Sequence, residues 1–359
     1  MDGMKKVKNK TTQNNMINYG IVILLFVIVQ VLSSTGNLSR LLTGLLVPIC
    51  VYTIAAVSLN LVVGFSGELS LGHAGFMCVG AFSSALFSHA MSDIPQIPRF
   101  ILAILVGAAV AAVFGLIIGI PVLRLRGDYL AIVTLAFGEI IKNLINVLYI
   151  GVDDHGLHVA TSSAGLHLEA GGKQILKGAL GISGTGALYK DIKSSFFIIG
   201  VILLLITLFI VQNLVHSRSG RAIMSTRDNR IAAESVGINI TKYKLLAFTI
   251  SAALAGVAGV LYAHNLSLLK VSVFDYNMSI LVLVYVVLGG IGNIRGSIIA
   301  TIILYALPEL LRGFANYRML IYAIVLIAMM LFNWAPAARN WRARVMEKVR
   351  GSKNKREVA

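Results

Sequence analysis

The chain has 359 residues, of which 57% are apolar and only 13% charged, and its mean hydropathy is +0.84. An ordinary soluble domain carries about 25% charged residues, and a soluble fold of this size has no way to hide so much apolar surface, so a soluble protein is excluded. A net charge of +16 would suggest nucleic-acid binding in a soluble chain; in an apolar chain it reports orientation in a bilayer, because Lys and Arg gather in cytoplasmic loops.

A membrane-spanning helix takes about 20 mainly apolar residues. Segments of this kind fall at 19–36, 41–63, 74–91, 100–123, 129–150, 195–215, 245–263, 279–294, 297–311 and 319–335. They predict an all-α, polytopic membrane protein with about ten transmembrane helices, some of them broken or re-entrant. Lys5, Lys6, Lys8 and Lys10 make residues 1–18 a basic N-terminal segment. Ser33, Ser34, Thr35 and Gly36 form only a weak cleavage site, so the first helix is read as retained rather than as a removed signal. With the N-terminus inside, the cytoplasmic stretches are 1–18, 64–73, 124–128, 216–244, the turn near 295 and the tail 336–359. They hold 21 of the 31 Lys and Arg residues, which places both termini in the cytoplasm around a transmembrane domain at 19–335. Cys50 and Cys78 sit among apolar residues and read as small buried hydrophobes rather than a disulfide or metal pair.

Polar residues inside a membrane are costly, so each raises a functional question. The first group interrupts the chain between Gly64 and Phe76, where Gly64, Gly67, Gly72 and Gly75 make a continuous helix unfavourable by about 1 kcal/mol each. Broken helices are tolerated where they line a cavity. Ser66, Gly67, Glu68, Ser70, Gly72, His73, Gly75 and Phe76 are therefore candidates for a translocation path. A tight interhelical turn, in which the glycines only permit close packing, fits the same pattern. Further on, Arg124 and Arg126 mark the inner face, and Asp128 is placed to cap the next helix at its positive end. Thr134 and Glu139 join the path candidates. Lys142 lies at i+3 from Glu139, so a structural ion pair and a transport role both stand.

The stretch 151–193 is polar and Gly-rich and reads as a solvated outer loop. Asp153, Asp154, His155, His158 and His167 could in principle hold a metal, but solvation is the default and no metal is expected. The inner loop 216–244 carries Arg221, Arg227, Asp228, Arg230, Ala232, Ala233, Glu234 and Gly237. Asp228 can cap a short amphipathic helix there and Gly237 can stop it. Such a helix suits a groove on a cytosolic partner or the surface of anionic lipid, and spacing alone favours neither. The small residues from Ser251 to Gly259 predict close helix packing. The glycines from Gly289 to Gly296 predict a sharp turn, since they lack the Gly-Lys-Ser/Thr ending of a phosphate loop. The chain has no nucleophile elbow, no His-Glu-x-x-His and no nucleotide fingerprint, so it reads as a non-enzyme; coupling to ATP would need another polypeptide.

Four stretches in order, Ser66 to Phe76, Leu123 to Glu139, Ala247 to Gly259 and Val287 to Gly292, resemble the LivM-type permease subunits of bacterial branched-chain amino acid ABC importers. The resemblance runs from about residue 40 to about residue 335 and is carried most specifically by the second stretch. It implies a fold of about ten helices in the bacterial inner membrane and a homologous second permease subunit. Two cytosolic ATPase subunits would bind the ATP, leaving this chain without a cofactor, and an extracytoplasmic solute-binding protein would deliver the solute. It also implies that Arg221–Gly237 is the ATPase-coupling loop, with Ala232, Ala233 and Gly237 matching its Ala-Ala-x-x-x-Gly core. No proline follows that core, as it does in the broader pattern, and Thr161 to Gly165 stands where relatives carry a Thr-Gly-Gly stretch. The expected solute is a branched-chain amino acid, with urea, amides or other small solutes as alternatives in the same family. An ion-coupled secondary carrier would rely instead on Glu68 and Glu139 and would show internal repeats, of which none is clear.

Overall fold

A computed structural model describes residues 18–20, 22–32, 39–125, 127–153, 156–168, 172–192, 195–314 and 317–334. The basic segments 1–17 and 335–359, together with Arg126, Asp154 and His155, lie outside the described residues. The chain divides into two units, residues 1–302 and 303–359.

A helix lies at each of the ten apolar segments. In the first unit α1 covers residues 18–20 and 22–32, followed by α2 (Arg40–Asn60), α3 (His73–Ala90), α4 (Gln96–Val122), α5 (Asp128–Val147) and α6 (Phe196–His216). Two short helices, α7 (Arg218–Asp228) and α8 (Arg230–Ser235), then lead into α9 (Ile240–Asn265), α10 (Tyr276–Gly289) and α11 (Ile294–Leu310), which ends in the second unit. Among the described helices, six are long and apolar enough to cross a membrane: α2 with its extension, α4, α5, α6, α9 and α11 with its extension. The second unit also holds α12 (Arg318–Trp334). Its exposed Leu320, Ile324, Ile327 and Leu331 form one helical stripe suited to lipid or a partner.

Long α9 is central in the first unit and packs on α2, α3 and α4. Its buried face is built from Ala247, Ser251, Ala252, Ala255, Gly256, Ala258 and Gly259. In lipid there is no hydrophobic drive between helices, so close backbone approach has to supply the contact. A Cβ on Gly80 of α3 would fall 2.5 Å from Gly256 Cα, and one on Gly259 would strike the Met77 carbonyl. By contrast α4 and α5 turn Leu105, Ile117, Ile132 and Ile140 outward, as helices facing lipid or another membrane subunit do.

The purely α expectation needs correction. The stretch read as a solvated loop joins Tyr149 and Ile150 before it and Leu268 and Leu269 after α9 in an antiparallel five-stranded sheet of order β2-β1-β3-β4-β5. Its strands are β1 (Tyr149–Asp153), β2 (Gly156–Ala160), β3 (Lys173–Lys177), β4 (Ile182–Ser183) and β5 (Leu268–Leu269). Ile150, Ile175, Leu176, Ile182 and Leu269 supply its buried side. The strands are at most five residues long, so their alternation is too brief to stand out of a polar stretch.

Candidate functional site

The site grows from the broken end of α2. After Asn60 the helix widens into a π turn, Leu61–Ser66, and stops at Gly67, whose φ of 75° is left-handed. The Gly67 and Glu68 N–H groups both return to the Val62 carbonyl. The Gly64 carbonyl has a donor from elsewhere: Arg227 Nη1 of α7 reaches it at 2.8 Å. Asn60 anchors the turn from the other side. Its Oδ1 accepts from the Gly292 N–H at 2.9 Å and its Nδ2 donates to Ser297 Oγ at 3.0 Å.

Beyond the break, residues 68–76 run against α5 and α9. Glu68 pairs with Lys244 at the start of α9, both side chains being mostly buried. The Leu71 N–H donates to Thr134 Oγ1 at 3.0 Å. Glycines are needed here for space: a Cβ on Gly72 would lie 2.6 Å from the Thr134 carbonyl oxygen and one on Gly75 2.8 Å from Gly138 Cα. His73 is buried, with Nε2 2.7 Å from Ser58 Oγ, and the Ala74 N–H donates to Ser279 Oγ at 3.0 Å. Phe76 lies between Phe137, tilted against it, and Phe248, edge-on to it, each 5.5 Å away between ring centroids. Ser66, Ser70, Gly72, His73, Gly75, Phe76 and Thr134 are thus brought together and buried, and Ser70 Oγ has no partner among the described residues. Gly67, Glu68 and Leu69 open onto a recess of about 280 Å³ that Leu125, Gly127, Asp128, Arg230 and Lys244 complete. Glu139 turns elsewhere. One carboxylate oxygen lies 2.5 Å from Lys142 Nζ, and the other accepts from the Tyr276 N–H at the start of α10, 3.2 Å away.

Between α6 and α9, Gly220, Ile223 and Thr226 of α7 are buried, which seats that helix on the body of the protein. The cap of α8 differs from expectation. Asn229, not Asp228, accepts from the Ala232 N–H at 3.0 Å, because Asp228 completes α7 and holds Arg227 Nε and Nη2 at 3.0 and 2.8 Å. Asp128 is likewise the first residue of α5, while Gly127 occupies the cap position. Gly237 does terminate α8, at φ 81°, with the Ile238 N–H returning to the Ala233 carbonyl at 3.0 Å. Arg230 and Glu234 face each other across one turn at 3.4 Å, and Arg221 Nη1 donates to the His216 carbonyl at 3.2 Å. Ala233 is buried, whereas Ile231 and Val236 stand 80% and 73% exposed.

Five residues of this arrangement escaped the sequence reading: Ser58, Asn60, Lys244, Ser279 and Ser297. A polar Asn within an apolar run was the available signal for Asn60. Lys244 had none, since a lysine at a span boundary is ordinary. A buried network at the end that carries the sheet was also missed. Arg99 donates to the Ser92 and Leu188 carbonyls at 2.8 and 2.7 Å and lies over the Tyr189 ring, while Tyr189 OH reaches Ser88 and Ser88 meets His264. Among the described residues no group of three or more His, Cys, Asp or Glu could hold a metal ion.

Residues 41–332 match the model of the branched-chain amino acid transport system permease component. The chain belongs to that family. It is 35% identical over 316 residues to the high-affinity branched-chain amino acid permease protein LivM of Salmonella typhimurium strain LT2, covering 86% of this chain and 72% of that protein. It is 36% identical over 293 residues to LivM of Escherichia coli K12, covering 80% and 67%. A more distant likeness, 25% over 151 residues, joins it to the fructose import permease protein FruG of Bifidobacterium longum, covering 40% and 44%. No solved structure matches the chain. As a permease component this multi-pass membrane protein is a transport subunit rather than an enzyme and binds no cofactor itself.

Proposed function

We propose that this chain is the membrane-spanning permease subunit of an ATP-driven importer of branched-chain amino acids in the bacterial inner membrane. In this reading about ten helices cross the bilayer and both termini are cytoplasmic. A homologous second permease completes the translocation path, an extracytoplasmic binding protein delivers the solute, and two cytosolic ATPase subunits bind the ATP. Arg221–Gly237 forms the coupling element. The recess at Gly67, Glu68 and Leu69 is the inner mouth of the path, and Ser66, Ser70, Gly72, His73, Gly75, Phe76 and Thr134 form the wall behind it. Glu139 enters the path only if its pair with Lys142 opens.

The observation that carries this reading is the form of α8. It is a helix of six residues, capped by Asn229 and closed at Gly237, that presents Ile231 and Val236 away from the protein. Six residues are far too few to hold a helix in water by themselves, and exposed apolar side chains on such an element suit a groove on a cytosolic partner. The chain, tagged and gently extracted at native expression, is expected to bring down a second permease and two ATPase chains. Ile231→Glu, at an exposed position, is expected to leave the chain folded, release the ATPases and abolish uptake. Recovery of the native chain alone, or uptake that survives deletion of residues 227–237, would favour a carrier. Uptake of labelled leucine that Ile and Val suppress, and that urea and amides do not, fixes the solute class.

A further inference from the structure

We infer that Arg227 is the positioning residue through which α7 and α8 move the translocation path, by tying the inner helices to the broken end of α2. The inference rests on the ATPase-coupling reading above and goes beyond it by naming the link inside this chain.

Three observations converge on it. The first is hydrogen bonding. A helix leaves its last carbonyls without donors, and the turn that ends at Ser66 leaves the Gly64 oxygen in that position. Arg227 Nη1 fills it at 2.8 Å, bringing a full positive charge to the negative end of the α2 dipole. The second is shape. A Cβ on Gly67 would lie 2.5 Å from Arg227 Cγ, and its φ of +75° is itself one that favours glycine, so both space and backbone reserve this position for the arginine stem. The third is orientation. Asp228 Oδ1 holds Nε and Nη2 at 3.0 and 2.8 Å, which fixes the guanidinium plane and leaves Nη1 for Gly64.

The break therefore lies between two anchors of different kind. Asn60 binds one side to the turn after α10 and to α11, inside the membrane body. Arg227 binds the other side to α7, which is continuous with exposed α8. A displacement of α8 reaches Gly64–Gly67 through Arg227, and glycines there let the backbone bend at little cost. From Gly67 it passes to the chain that hangs by the Leu71 N–H on Thr134 of α5. The inference requires that the Arg227–Gly64 contact differ between two states of this segment, which the substitutions below probe.

The test uses the whole complex in proteoliposomes, with two readouts: ATPase chains retained on purification, and solute imported per ATP hydrolysed. Arg227→Gln is expected to keep the ATPases bound while solute per ATP falls roughly tenfold or more, in the range of ordinary coupling energies. Arg227→Lys, which still offers one charged donor, is expected to recover part of the loss. Gly67→Ala, which obstructs the arginine stem without changing any charge, is expected to reproduce it, and carries the test alone should Arg227→Gln fail to accumulate. A native solute-to-ATP ratio in Arg227→Gln or Gly67→Ala overturns the inference. Loss of the ATPases from Arg227→Gln also overturns it, since Arg227 would then be a docking residue. A native chain that retains no ATPase refutes the underlying reading before any variant is compared.

Discussion

His73 shows how a single polar side chain is accommodated in this interior. Its imidazole is buried and 2.7 Å from Ser58 Oγ, while the Ser58 carbonyl accepts from Ser251 Oγ of α9 at 2.6 Å. The contact therefore joins α3 to α2 and, through Ser58, to α9. Ser58 Oγ also donates to the Ala55 carbonyl at 2.8 Å, but removing one member of a buried pair still leaves the other short of a partner, at a cost of up to about 1–3 kcal/mol, whereas removing both is much less costly. His73→Ala and Ser58→Ala are each expected to lower the Tm of the detergent-extracted chain. The double variant should melt clearly above the temperature that summing the two losses predicts. Additive losses would show that the contact contributes nothing and leave His73 free for the path. Glu68 differs in kind, because its partner Lys244 comes from α9 and the pair borders the recess rather than the core.

At the scale of elements, what could be read in advance followed from the length of each signal. The apolar runs are long, and a helix sits at every one of them; the glycines after Asn60 announced a break, and α2 breaks there. The small residues from Ser251 to Gly259 announced close packing, and α9 lies backbone to backbone with α3 at Gly80 and Gly256. Short signals failed. Strands of two to five residues did not emerge from residues 151–193, and the cap of α8 fell on Asn229 because α7 takes up Asp228. Contacts between distant residues, such as Lys244 with Glu68 and Arg227 with Gly64, have no trace in any local pattern, so the arrangement of the candidate residues was not legible. The packing of α9 yields its own prediction. Gly256→Val inserts a branched side chain where a Cβ alone would lie 2.5 Å from Ala111 Cβ and 2.8 Å from the Gly107 carbonyl. Overpacking of this kind costs about 1–3 kcal/mol or more, so Gly256→Val should accumulate poorly and melt lower. Leu105→Val on the outward face of α4 should be nearly silent in the same assay.

For the whole molecule, the proposed mechanism depends on which side of the membrane each end of the helices occupies. The broken end of α2, the start of α5, and α7, α8 and the start of α9 meet around the recess. The sheet gathers at the other end, where Arg99 of α4 binds the Leu188 carbonyl and Thr185 approaches His89 at the end of α3. Helices of 18 to 27 residues separate the two ends, which at about 1.5 Å per residue is the thickness of a bilayer. The proposed reading, argued from the distribution of Lys and Arg, puts the recess end in the cytoplasm. Cysteine accessibility tests this directly, because the sequence holds only Cys50 and Cys78 and both are free and buried. Leu180, beside β3 and 70% exposed, and Ile231 on α8 mark the two ends. With the chain produced without ATPase partners, so that α8 stays uncovered, a membrane-impermeant maleimide should label Leu180→Cys in right-side-out vesicles and Ile231→Cys only in inside-out ones. The opposite pattern would place α8 and Arg227 outside the cell. No cytosolic ATPase could then act on the break in α2, and the sheet, not the coupling helices, would face the nucleotide.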